Sequence, residues 1–400
     1  MRLLHVVPTY LPAIRYGGPV VAVHGLCRAL ASRGHQVEVY TTSIDGRQDS
    51  DVPHGEPVLL DGVTVRYFAS PMLRRLAWAP SLRRALYPRL EAADLVHLHS
   101  VFLWPTAVAG RLARQAATPY VLSPRGMLVK TLLESRHPAL KRAWIALIER
   151  RNLEHAAAIH VTSEVEAAAF AEIGFRVRQV ATIPNGVETA ESPSMNPQPP
   201  DDLARLAAVS PLILSFGRLS WVKRLDRLIE AFARIQTAHL AIVGTDDETL
   251  APGLRAAAER LGVSDRVHIV PRTVTGADKE FLLAAAHCVV QASLSESFGN
   301  TAMEAMQRGK PVIVSAAVGA AEIVRRTGGG LIVDDSVSQL ADAMERLARQ
   351  PDQAIRMGKQ GQDYVTANCG WARIAERMEE LYRSIIGTPG PGLRGRREDA

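Results

Sequence analysis

The sequence predicts an α/β protein built from two Rossmann-like domains. Three observations indicate this fold class: the length of 400 residues, short apolar strand patterns that alternate with amphipathic helix patterns in both halves, and a proline-rich stretch between the halves. A single hydrophobic core stops growing beyond about 250–300 residues, so this length favours two domains. Strands that alternate with helices favour parallel sheets covered by helices. We expect one domain at 1–187, a linker at 188–210 and a second domain at 211–370.

The first domain begins with an apolar run at 3–7, which is typical of a strand buried on both faces. A loop with Gly17 and Gly18 follows and leads into a helix pattern that ends at Gly34. A strand-to-helix loop of this kind lies at the carboxyl ends of the strands, where open α/β sheets bind ligands. The glycine pair is not a GxGxxG fingerprint, so a ligand-binding loop and a plain tight turn both remain open.

Residues 58–65 read as a hairpin that turns at Asp61-Gly62, a dipeptide favoured in two-residue hairpin loops. The segment 72–90 then carries five arginines among leucines and is interrupted by Pro80 and Pro88. A basic amphipathic segment can lie on an anionic membrane surface. An ordinary outer helix with solvated arginines is the alternative, and the sequence leaves both open.

Two later strand patterns of this domain end in polar residues. In the strand at 94–99, His97 and His99 point to the same face, and His99 lies nearer the carboxyl end. A structural histidine is the ordinary interpretation of both positions. A strand at 120–123 runs into a loop with Arg125. Arginine keeps its proton, so Arg125 can bind an anion or orient a hydroxyl but cannot act as a general base.

The second domain begins with a strand at 212–216, after which Arg218, Lys223 and Arg224 lie at a strand-to-helix junction. Positive side chains beside free amide N–H groups make a pyrophosphate clamp physically reasonable there. Lysine and arginine are common on surfaces, so this pattern alone is weak. The acidic run at 245–248 suggests a metal site, but a turn that caps the next helix explains it better.

The stretch from Glu296 to Glu304 is the most informative part of the sequence. A strand pattern precedes it, a loop with Gly299 opens a short helix within it, and a second strand pattern follows at 312–314. Such a loop offers unpaired N–H groups and the positive end of a helix dipole to phosphate. The two carboxylates suit hydroxyl groups, which sugars and ribose provide. The stretch therefore indicates a sugar nucleotide, although two ordinary surface glutamates are the alternative.

The same stretch resembles the E-x7-E signature of the retaining glycosyltransferases of family 4, which have the GT-B fold. The likeness is carried by Glu296-Ser297-Phe298-Gly299, Glu304-Ala305-Met306 and Gly309-Lys310-Pro311-Val312, and it extends to Gly319 and Glu322. It covers nearly the whole chain and is strongest over 211–325. The resemblance implies two facing Rossmann-like domains with an interdomain cleft. It also implies a final helix at 371–386 that packs back on the first domain; the composition of 387–400 indicates a disordered tail.

The resemblance implies a role for each matching residue. Glu296, Arg218 and Lys223 would be catalytic: Glu296 would bind sugar hydroxyls, while the two cations would neutralise charge on the leaving diphosphate. Arg224 could replace its neighbour Lys223. The remaining donor-binding residues would be Phe298, Gly299, Asn300 and Thr301, with Glu304 on the ribose hydroxyls. Gly17, Gly18, His99 and Arg125 would lie on the acceptor side. Many members have His-Gly where this chain has Arg125-Gly126, so the group that accepts the acceptor's proton stays unassigned.

The composition excludes several classes of protein. Hydrophobic residues make up 47% and charged residues 22%, as in an ordinary globular enzyme. No run of about eighteen apolar residues is present, and the N-terminus reads as a strand instead of a signal peptide. Three cysteines, Cys27, Cys288 and Cys369, lie too far apart to suggest a disulfide framework or a CxxC metal site. We therefore expect a cytoplasmic protein, and the resemblance implies that its chemistry needs no metal or other cofactor.

The net charge of +6 favours anionic partners. Nucleotide sugars and anionic lipid headgroups fit this charge. Because many acceptors of the family are lipid-linked, the resemblance keeps peripheral contact with the cytoplasmic face of the membrane as one alternative. Nucleic acid is not expected as a partner, because the arginines are scattered and no nucleic-acid-binding motif accompanies them.

The resemblance implies an enzyme that moves a hexose from a UDP- or GDP-linked sugar to a glycan or lipid-linked acceptor, with retention of configuration. Its place would be the synthesis of a cell-surface glycan such as an exopolysaccharide or lipopolysaccharide. A nicotinamide-dependent dehydrogenase is one rival, but GxGxxG and its ribose-binding acid are missing. A non-catalytic scaffold is another, and the intact Glu296, Glu304, Arg218 and Lys223 argue against it. Binding of NADH without binding of nucleotide sugars would favour the dehydrogenase.

Overall fold

The computed structural model describes residues 1–135, 137–188 and 199–387 and divides into two compact units. The first unit contains Met1–Gly186 together with the chain from Trp371 onward, and the second contains Val187–Gly370. The expected tail, from 388 onward, and residues 189–198 of the expected linker lie outside the described residues. The rest of that linker differs from the prediction, because residues Asp201–Ala207 form a helix whose Leu203 and Leu206 are buried in the core of the second unit.

The first unit alternates strands and helices as the sequence predicts. Up to residue 186 its elements are β1 (Arg2–Thr9), α1 (Gly18–Ser32), β2 (Gln36–Thr42), β3 (Ile44–Asp45), β4 (Gln48–Asp49), β5 (Pro57–Leu60), β6 (Val63–Phe68), α2 (Pro80–Ala92), β7 (Leu95–His99), α3 (Trp104–Gln115), β8 (Tyr120–Ser123), α4 (Lys130–Glu134), α5 (Pro138–Trp144), α6 (Arg150–His155), β9 (Ala158–Val161), α7 (Glu164–Ala171) and β10 (Val180–Thr182). Short 3-10 helices lie at Ile14–Tyr16 and Arg74–Leu76, and a π-helical turn at Ile145–Glu149 joins α5 to α6.

The main sheet of the first unit has the order β10-β9-β8-β7-β1-β2-β6-β5. Its strands run parallel except β5, which pairs antiparallel with β6 across the predicted turn. Asp61 and Gly62 both have positive φ, 49° and 81°, as a two-residue hairpin of type I′ requires. The strand order reverses between β1 and β7, so their carboxyl ends form a topological switch point, where open α/β sheets bind ligands.

Two helices of the first unit, α2 and α7, show how proline and serine residues act at helix starts. Pro80 does not interrupt a helix but starts α2, where its missing N–H costs nothing, whereas Pro88 lies inside that helix. Ser163 caps α7, because its side chain accepts a hydrogen bond from the Glu166 amide.

The second unit has the doubly wound strand order of a Rossmann fold. Its elements are α8 (Asp201–Ala207), β11 (Leu212–Phe216), α9 (Leu225–Phe232), β12 (His239–Val243), α10 (Ala251–Arg260), β13 (Val267–Val270), α11 (Gly276–Ala285), β14 (Cys288–Gln291), α12 (Asn300–Gln307), β15 (Val312–Ser315), α13 (Ala320–Thr327), β16 (Gly330–Val333), α14 (Val337–Arg349) and α15 (Pro351–Asn368). A 3-10 helix, Trp221–Lys223, precedes α9. The parallel sheet runs β13-β12-β11-β14-β15-β16, and its switch point lies between β11 and β14.

Helices cover both faces of the second sheet, and the strand side chains divide between two cores. Leu212 and Leu214 of β11 belong to one core, and Ile213 between them belongs to the other. Successive strand residues point to opposite faces, so this division needs apolar residues at every position. The continuous apolar runs in the sequence are explained by this burial.

The last helix, α16 (Trp371–Ile386), belongs to the first unit. Trp371, Ile374, Met378 and Tyr382 are buried along one side of it, at helical spacing. The Trp371 indole lies so close to α1 that a Cβ on Gly25 would approach it to 2.3 Å. No helix in the described part of the chain combines the length and the apolar character needed to cross a membrane.

Candidate functional site

The predicted donor-side residues gather at the switch point of the second unit. Gly217 and Arg218 follow β11, and the loop with Glu296 follows β14. A Cβ on Gly217 would lie 3.9 Å from both Lys223 Nζ and Thr301 Oγ1, so these side chains lie against its backbone. The sequence placed these residues at separate junctions, and the strand order brings them together.

Lys223 and Glu296 form an ion pair at this point. Lys223 Nζ lies 2.6 Å from Glu296 Oε2, and the two side chains are 18% and 28% exposed. The neighbouring Arg224 instead lies 3.5 Å from Asp335. Lys223 is therefore the cation that contacts Glu296, which separates the two residues that the sequence left equivalent. An ammonium has three donors, so Lys223 keeps two for a ligand.

Arg218 is exposed at the end of β11, and no ion pair or hydrogen bond of its side chain occurs within the described residues. The structure does not bring it into contact with the pair of Lys223 and Glu296. A free guanidinium next to a strand end is suited to bind a phosphate group.

The loop from Glu296 to Gly299 is fixed by backbone hydrogen bonds to the chain after β15. The Glu296 amide donates to Ala317 O, and the Gly319 and Ala320 amides donate to Glu296 O and Phe298 O. The Phe298 side chain is buried in the core, so its backbone is the part available to a ligand. Gly299 has φ 94° and lies where a Cβ would come within 2.7 Å of Val318 Cγ1, which explains the glycine. Asn300 then begins α12.

Glu304 is held by a residue that the sequence did not reveal. Lys279 on α11 lies 3.1 Å from Glu304 Oε1 through its Nζ atom. No motif contains Lys279, and its contact exists only because α11 and α12 meet in the fold. Asp246, in contrast, caps α10 as expected: its carboxylate accepts from the amides of Leu250 and Ala251.

A cavity of about 330 Å³ lies at the switch point of the first unit. It is lined by Val7, Pro8, Thr9, Tyr16, Pro19, Val20, Val23, Ile44, Gly46, Arg74, Arg75, Ala77, His99, Ser100, Leu103 and Arg125. His99 and Arg125, which the resemblance assigned to the acceptor side, both line this cavity. Gly17 and Gly18 lie between the lining residues Tyr16 and Pro19, and Gly17 has φ 74°.

His99 is the centre of a hydrogen-bonded row that Arg125 orients. Arg125 donates to His99 Nδ1 at 3.0 Å, and His99 Nε2 lies 3.0 Å from His5 Nδ1. Arginine can only donate, so His99 Nδ1 must accept and the proton of His99 lies on Nε2. His99 therefore donates to His5, whose own proton is on Nε2. The buried Nε2 of His5 has no hydrogen-bond partner within the described residues.

A second row runs beside it and is fixed at its other end by a backbone carbonyl. His160 Nε2 lies 2.8 Å from Ile183 O, so it carries a proton, and His160 Nδ1 accepts from Ser123 Oγ at 2.7 Å. His97 Nε2 then donates to Ser123 Oγ at 2.7 Å. His97 Nδ1 is left to accept from the Tyr382 hydroxyl at 2.6 Å.

These four histidines are neutral because they are buried beside a cation. Burial lowers the pKa of His5 and His160 to about 3, with the charge of Arg125 as a further cause. The same causes, together with the neighbouring imidazoles, hold the pKa of His97 and His99 well below the ordinary value. The ring nitrogens of His5, His97 and His99 lie within 4.8 Å of one another. Their lone pairs already accept hydrogen bonds, so they form a structural array and not a metal ligand set.

The arginine-rich segment 72–90 lies partly in the core. Leu82, Leu86 and Leu90 of α2 are fully buried, as in an ordinary outer helix. Met72 and Leu73, before the helix, are 57% and 60% exposed. The segment therefore presents apolar surface at its beginning and, within α2, at Tyr87, which is 55% exposed.

Comparisons with known proteins identify both units. A profile described as "Glycosyl transferase 4-like domain" matches residues 17–186, and one described as "Glycosyl transferases group 1" matches residues 205–364. The chain is 24% identical to a GDP-mannose:cellobiosyl-diphosphopolyprenol alpha-mannosyltransferase of Komagataeibacter xylinus, over 97% of this chain and 94% of that protein. It is 27% identical to a D-inositol 3-phosphate glycosyltransferase of Pseudarthrobacter chlorophenolicus, over 92% and 91%.

A solved structure has the same fold. The sucrose-phosphate synthase of Thermosynechococcus elongatus superimposes with a TM-score of 0.76 at 23% identity, over 97% of this chain and all of that one. At this identity the likeness concerns the fold, which confirms the predicted architecture.

Proposed function

The chain belongs to the family 4 glycosyltransferases of the GT-B fold and is itself a glycosyltransferase that uses a nucleotide-sugar donor; from this premise we propose that it transfers a hexose from a UDP- or GDP-linked sugar with retention of configuration. The acceptor in this proposal is a glycan or a lipid-linked glycan of the cell surface. The mannosyltransferase relative is named for GDP-mannose and a diphosphopolyprenol-linked acceptor, which supports this choice.

The observation that carries the proposal is the ion pair of Lys223 and Glu296 at the switch point of the second sheet. The cation is placed for the leaving diphosphate, and the carboxylate for the hydroxyls of the transferred sugar. Arg218 supplies a second positive charge from the end of β11. Charges fixed in this way stabilise the diphosphate as the glycosidic bond to it breaks, and they need no metal or other cofactor.

Glu304 and the loop before it complete the proposed donor site. Lys279 holds one oxygen of the Glu304 carboxylate and leaves the other for ribose hydroxyls. The backbone of Phe298 and Gly299, with Asn300 and Thr301 at the start of α12, faces the phosphate or sugar. In this proposal the acceptor binds in the cavity of the first unit, with His99 and Arg125.

A panel of nucleotide sugars tests the proposal by calorimetry and by turnover. The donor is the nucleotide sugar that binds and is consumed, and NMR of the product should show the donor's anomeric configuration. We expect Glu296→Gln, Lys223→Met and Glu304→Ala each to lower kcat/KM roughly ten- to a hundredfold, because each removes the charge of a group that hydrogen-bonds the substrate in this proposal.

Lys359→Met is the matched control, since Lys359 pairs with Asp363 on an exposed helix surface of the same unit. It should leave turnover unchanged. Wild-type turnover in Glu296→Gln and Lys223→Met would show that the pair has no part in the reaction, and a product of inverted configuration would contradict retention.

We also propose that the protein works in the cytoplasm, peripherally at the inner face of the membrane. The support is the net charge of +6 and the exposed Met72 and Leu73 beside the exposed Arg75. Anionic lipid attracts such a basic and apolar edge.

A further inference from the structure

The cavity of the first unit carries positive charge that its own walls do not neutralise. Three arginines line it, Arg74, Arg75 and Arg125, and no aspartate or glutamate is among its lining residues. Most of the other walls are apolar, with Val7, Val23 and Leu103 as examples. A concave basic surface with apolar walls concentrates the electric field and attracts anions.

Arg125 has more hydrogen-bond donors than partners. It donates to Asn185 Oδ1 at 2.9 Å and to His99 Nδ1 at 3.0 Å. A guanidinium has five N–H donors, so three of them find no partner within the described residues, and the buried Nε–H is one of these. Neither partner is charged, because the Asn185 amide is neutral and burial keeps His99 neutral by lowering its pKa.

The acidic residue near Arg125 is engaged elsewhere. Glu166 raises the pKa of Arg125 through its charge, against the larger effect of burial, which lowers it. Its two oxygens accept from the Gly126 amide at 2.6 Å and from the amide and hydroxyl of Thr162 at 2.8 and 2.7 Å. It forms no ion pair with the guanidinium. Arg125 therefore remains a poorly solvated cation without a counter-ion contact in the described part of the chain, and such a charge favours an anionic ligand.

The other two arginines differ in how far they are already paired. Arg74 contacts Asp49 at 2.8 Å and the carbonyl of Gln48, so part of its charge is balanced. Arg75 is exposed and has no ion pair within the described residues. The first turn of α1 also lines the cavity through Pro19 and Val20, and a helix of 15 residues adds the positive end of its dipole there.

We propose that this cavity binds the acceptor through a phosphate ester, with Arg75 and Arg125 as the anion-binding residues. The inference rests on the proposed glycosyltransferase function and specifies the class of acceptor. Guanidinium groups bind phosphate oxygens through paired hydrogen bonds. The apolar walls accommodate the uncharged part of the acceptor next to the phosphate. A soluble sugar phosphate and a lipid-linked diphosphate share this chemistry.

Calorimetric titration of the full chain tests the inference, with the nucleoside diphosphate of the donor present at saturation so that the second unit's phosphate-binding groups are occupied. The probes are glucose 6-phosphate and farnesyl diphosphate, each compared with its unphosphorylated counterpart, glucose or farnesol. At least one phosphorylated probe should bind tenfold or more tightly than its counterpart. Added salt should weaken this preference, because it screens the charges of the site.

Two variants and a control locate the binding. Arg75→Ala should weaken the binding of the phosphorylated probe roughly tenfold, and Arg125→Lys should do the same by removing the paired hydrogen bonds while keeping a charge. Arg84→Ala is the matched control, since Arg84 is an exposed arginine of α2 outside the cavity lining and should bind as the wild type does. Arg75 is exposed and makes no hydrogen bond or ion pair within the described residues, so its variant is informative even if Arg125→Lys unfolds.

Each outcome has a defined meaning. Preference for farnesyl diphosphate identifies a lipid-linked acceptor, and preference for glucose 6-phosphate a soluble one. No preference for either phosphate over its counterpart, or binding by Arg75→Ala equal to that of Arg84→Ala, overturns the inference. A chain that binds no nucleotide contradicts the proposed function itself, whereas one that binds nucleotide but no phosphorylated probe contradicts only this inference.

Discussion

Gly244 shows how single residues set the geometry of the donor side. It follows β12 with φ 153°, and a Cβ there would lie 2.0 Å from the carbonyl oxygen of Gly217. That carbonyl belongs to the strand-to-helix junction that carries Arg218. The close approach of two backbones therefore leaves room only for hydrogen at this position.

Gly244→Ala is expected to destabilise the protein by about 1–3 kcal/mol, because the added methyl group displaces the junction. The measurement is the midpoint of urea unfolding, together with nucleotide binding, which should also weaken. Gly253→Ala is the control: Gly253 lies inside α10 with nothing within 4 Å of an added Cβ, and alanine should stabilise the helix by up to about 1 kcal/mol. Equal stability of the two variants would contradict the close approach.

At this scale the sequence predicted residues that lie within a motif and missed those that meet across elements. Glu296 and Lys223 were found because each lies at a recognisable loop or junction. Lys279 was missed, since no sequence pattern in α11 indicates that it contacts α12. His5 was missed although it lies on the first strand, where the register places it beside His97 of β7.

Among the elements, the start of the arginine-rich segment differs from the helix that follows it. Helix α2 turns its leucines into the core, whereas Met72 and Leu73 stay exposed before the short helix Arg74–Leu76. Buried leucines cannot insert into a lipid surface while the unit is folded. Any lipid contact of this segment therefore involves its exposed side chains, which are Met72 and Leu73 before the helix and Tyr87 on it.

We expect the double variant Met72→Ser with Leu73→Ser to lower co-sedimentation with vesicles that contain anionic lipid, since it removes the apolar part of the proposed contact. Leu59→Ser, at an exposed position of β5 in the same unit but outside the segment 72–90, is the control and should sediment as the wild type does. If the wild-type protein does not co-sediment with anionic vesicles at low salt, the proposed peripheral attachment is ruled out.

The periodicity of apolar residues predicted most strands and helices, because each buries one face or both. Helix α8 was missed because prolines dominate the preceding stretch. Its start carries a signal nonetheless: Pro200 is followed by Asp201 and Asp202, and acidic residues in a first helical turn interact favourably with the helix dipole. Pro80 illustrates the same error, since a proline that begins a helix resembles one that breaks it.

For the whole molecule, the buried histidines make stability depend on pH. His5 and His160 have pKa values of about 3 in the folded state and near 6.5 when unfolded. Below about pH 6.5 these two imidazoles bind protons in the unfolded chain, whereas in the folded chain they stay neutral. The free energy of unfolding is therefore not reduced by these histidines above pH 6.5, and it falls as the pH is lowered from there toward 3.

Each of these two histidines should lower the free energy of unfolding by about 1.4 kcal/mol per pH unit below pH 6, so the two together lower it by about 3 kcal/mol per pH unit. His97 and His99, whose pKa is also lowered by burial, add to this slope in the same direction. Urea unfolding at pH 7.5, 6.0 and 5.0 measures this slope, with His155→Gln at an exposed position as a control that should retain it. Unfolding midpoints that do not change between pH 7.5 and 5.0 would show that these imidazoles are not held neutral.

The architecture of each unit could be predicted from strand and helix alternation, and the family from the motif around Glu296. The polar rows in the first sheet could not, because their members come from β1, β7, β8, β9 and α16 and meet only through strand order. Arg125 could be recognised from the sequence as a departure from the family pattern. Its uncompensated charge follows only from the positions of its neighbours.

The Tyr382 hydroxyl has a consequence for synthesis on the ribosome. Tyr382 donates this hydrogen bond to His97, and the Trp371 indole packs against Gly25 and Gly186. Both side chains belong to α16, at the far end of the chain from the rest of the first unit. All of Val187–Gly370 must be translated in between. At about 5–20 residues per second that interval lasts on the order of 10–40 s. During it the nascent first half has an apolar face without its covering helix, so this half should depend on chaperones more than the second does.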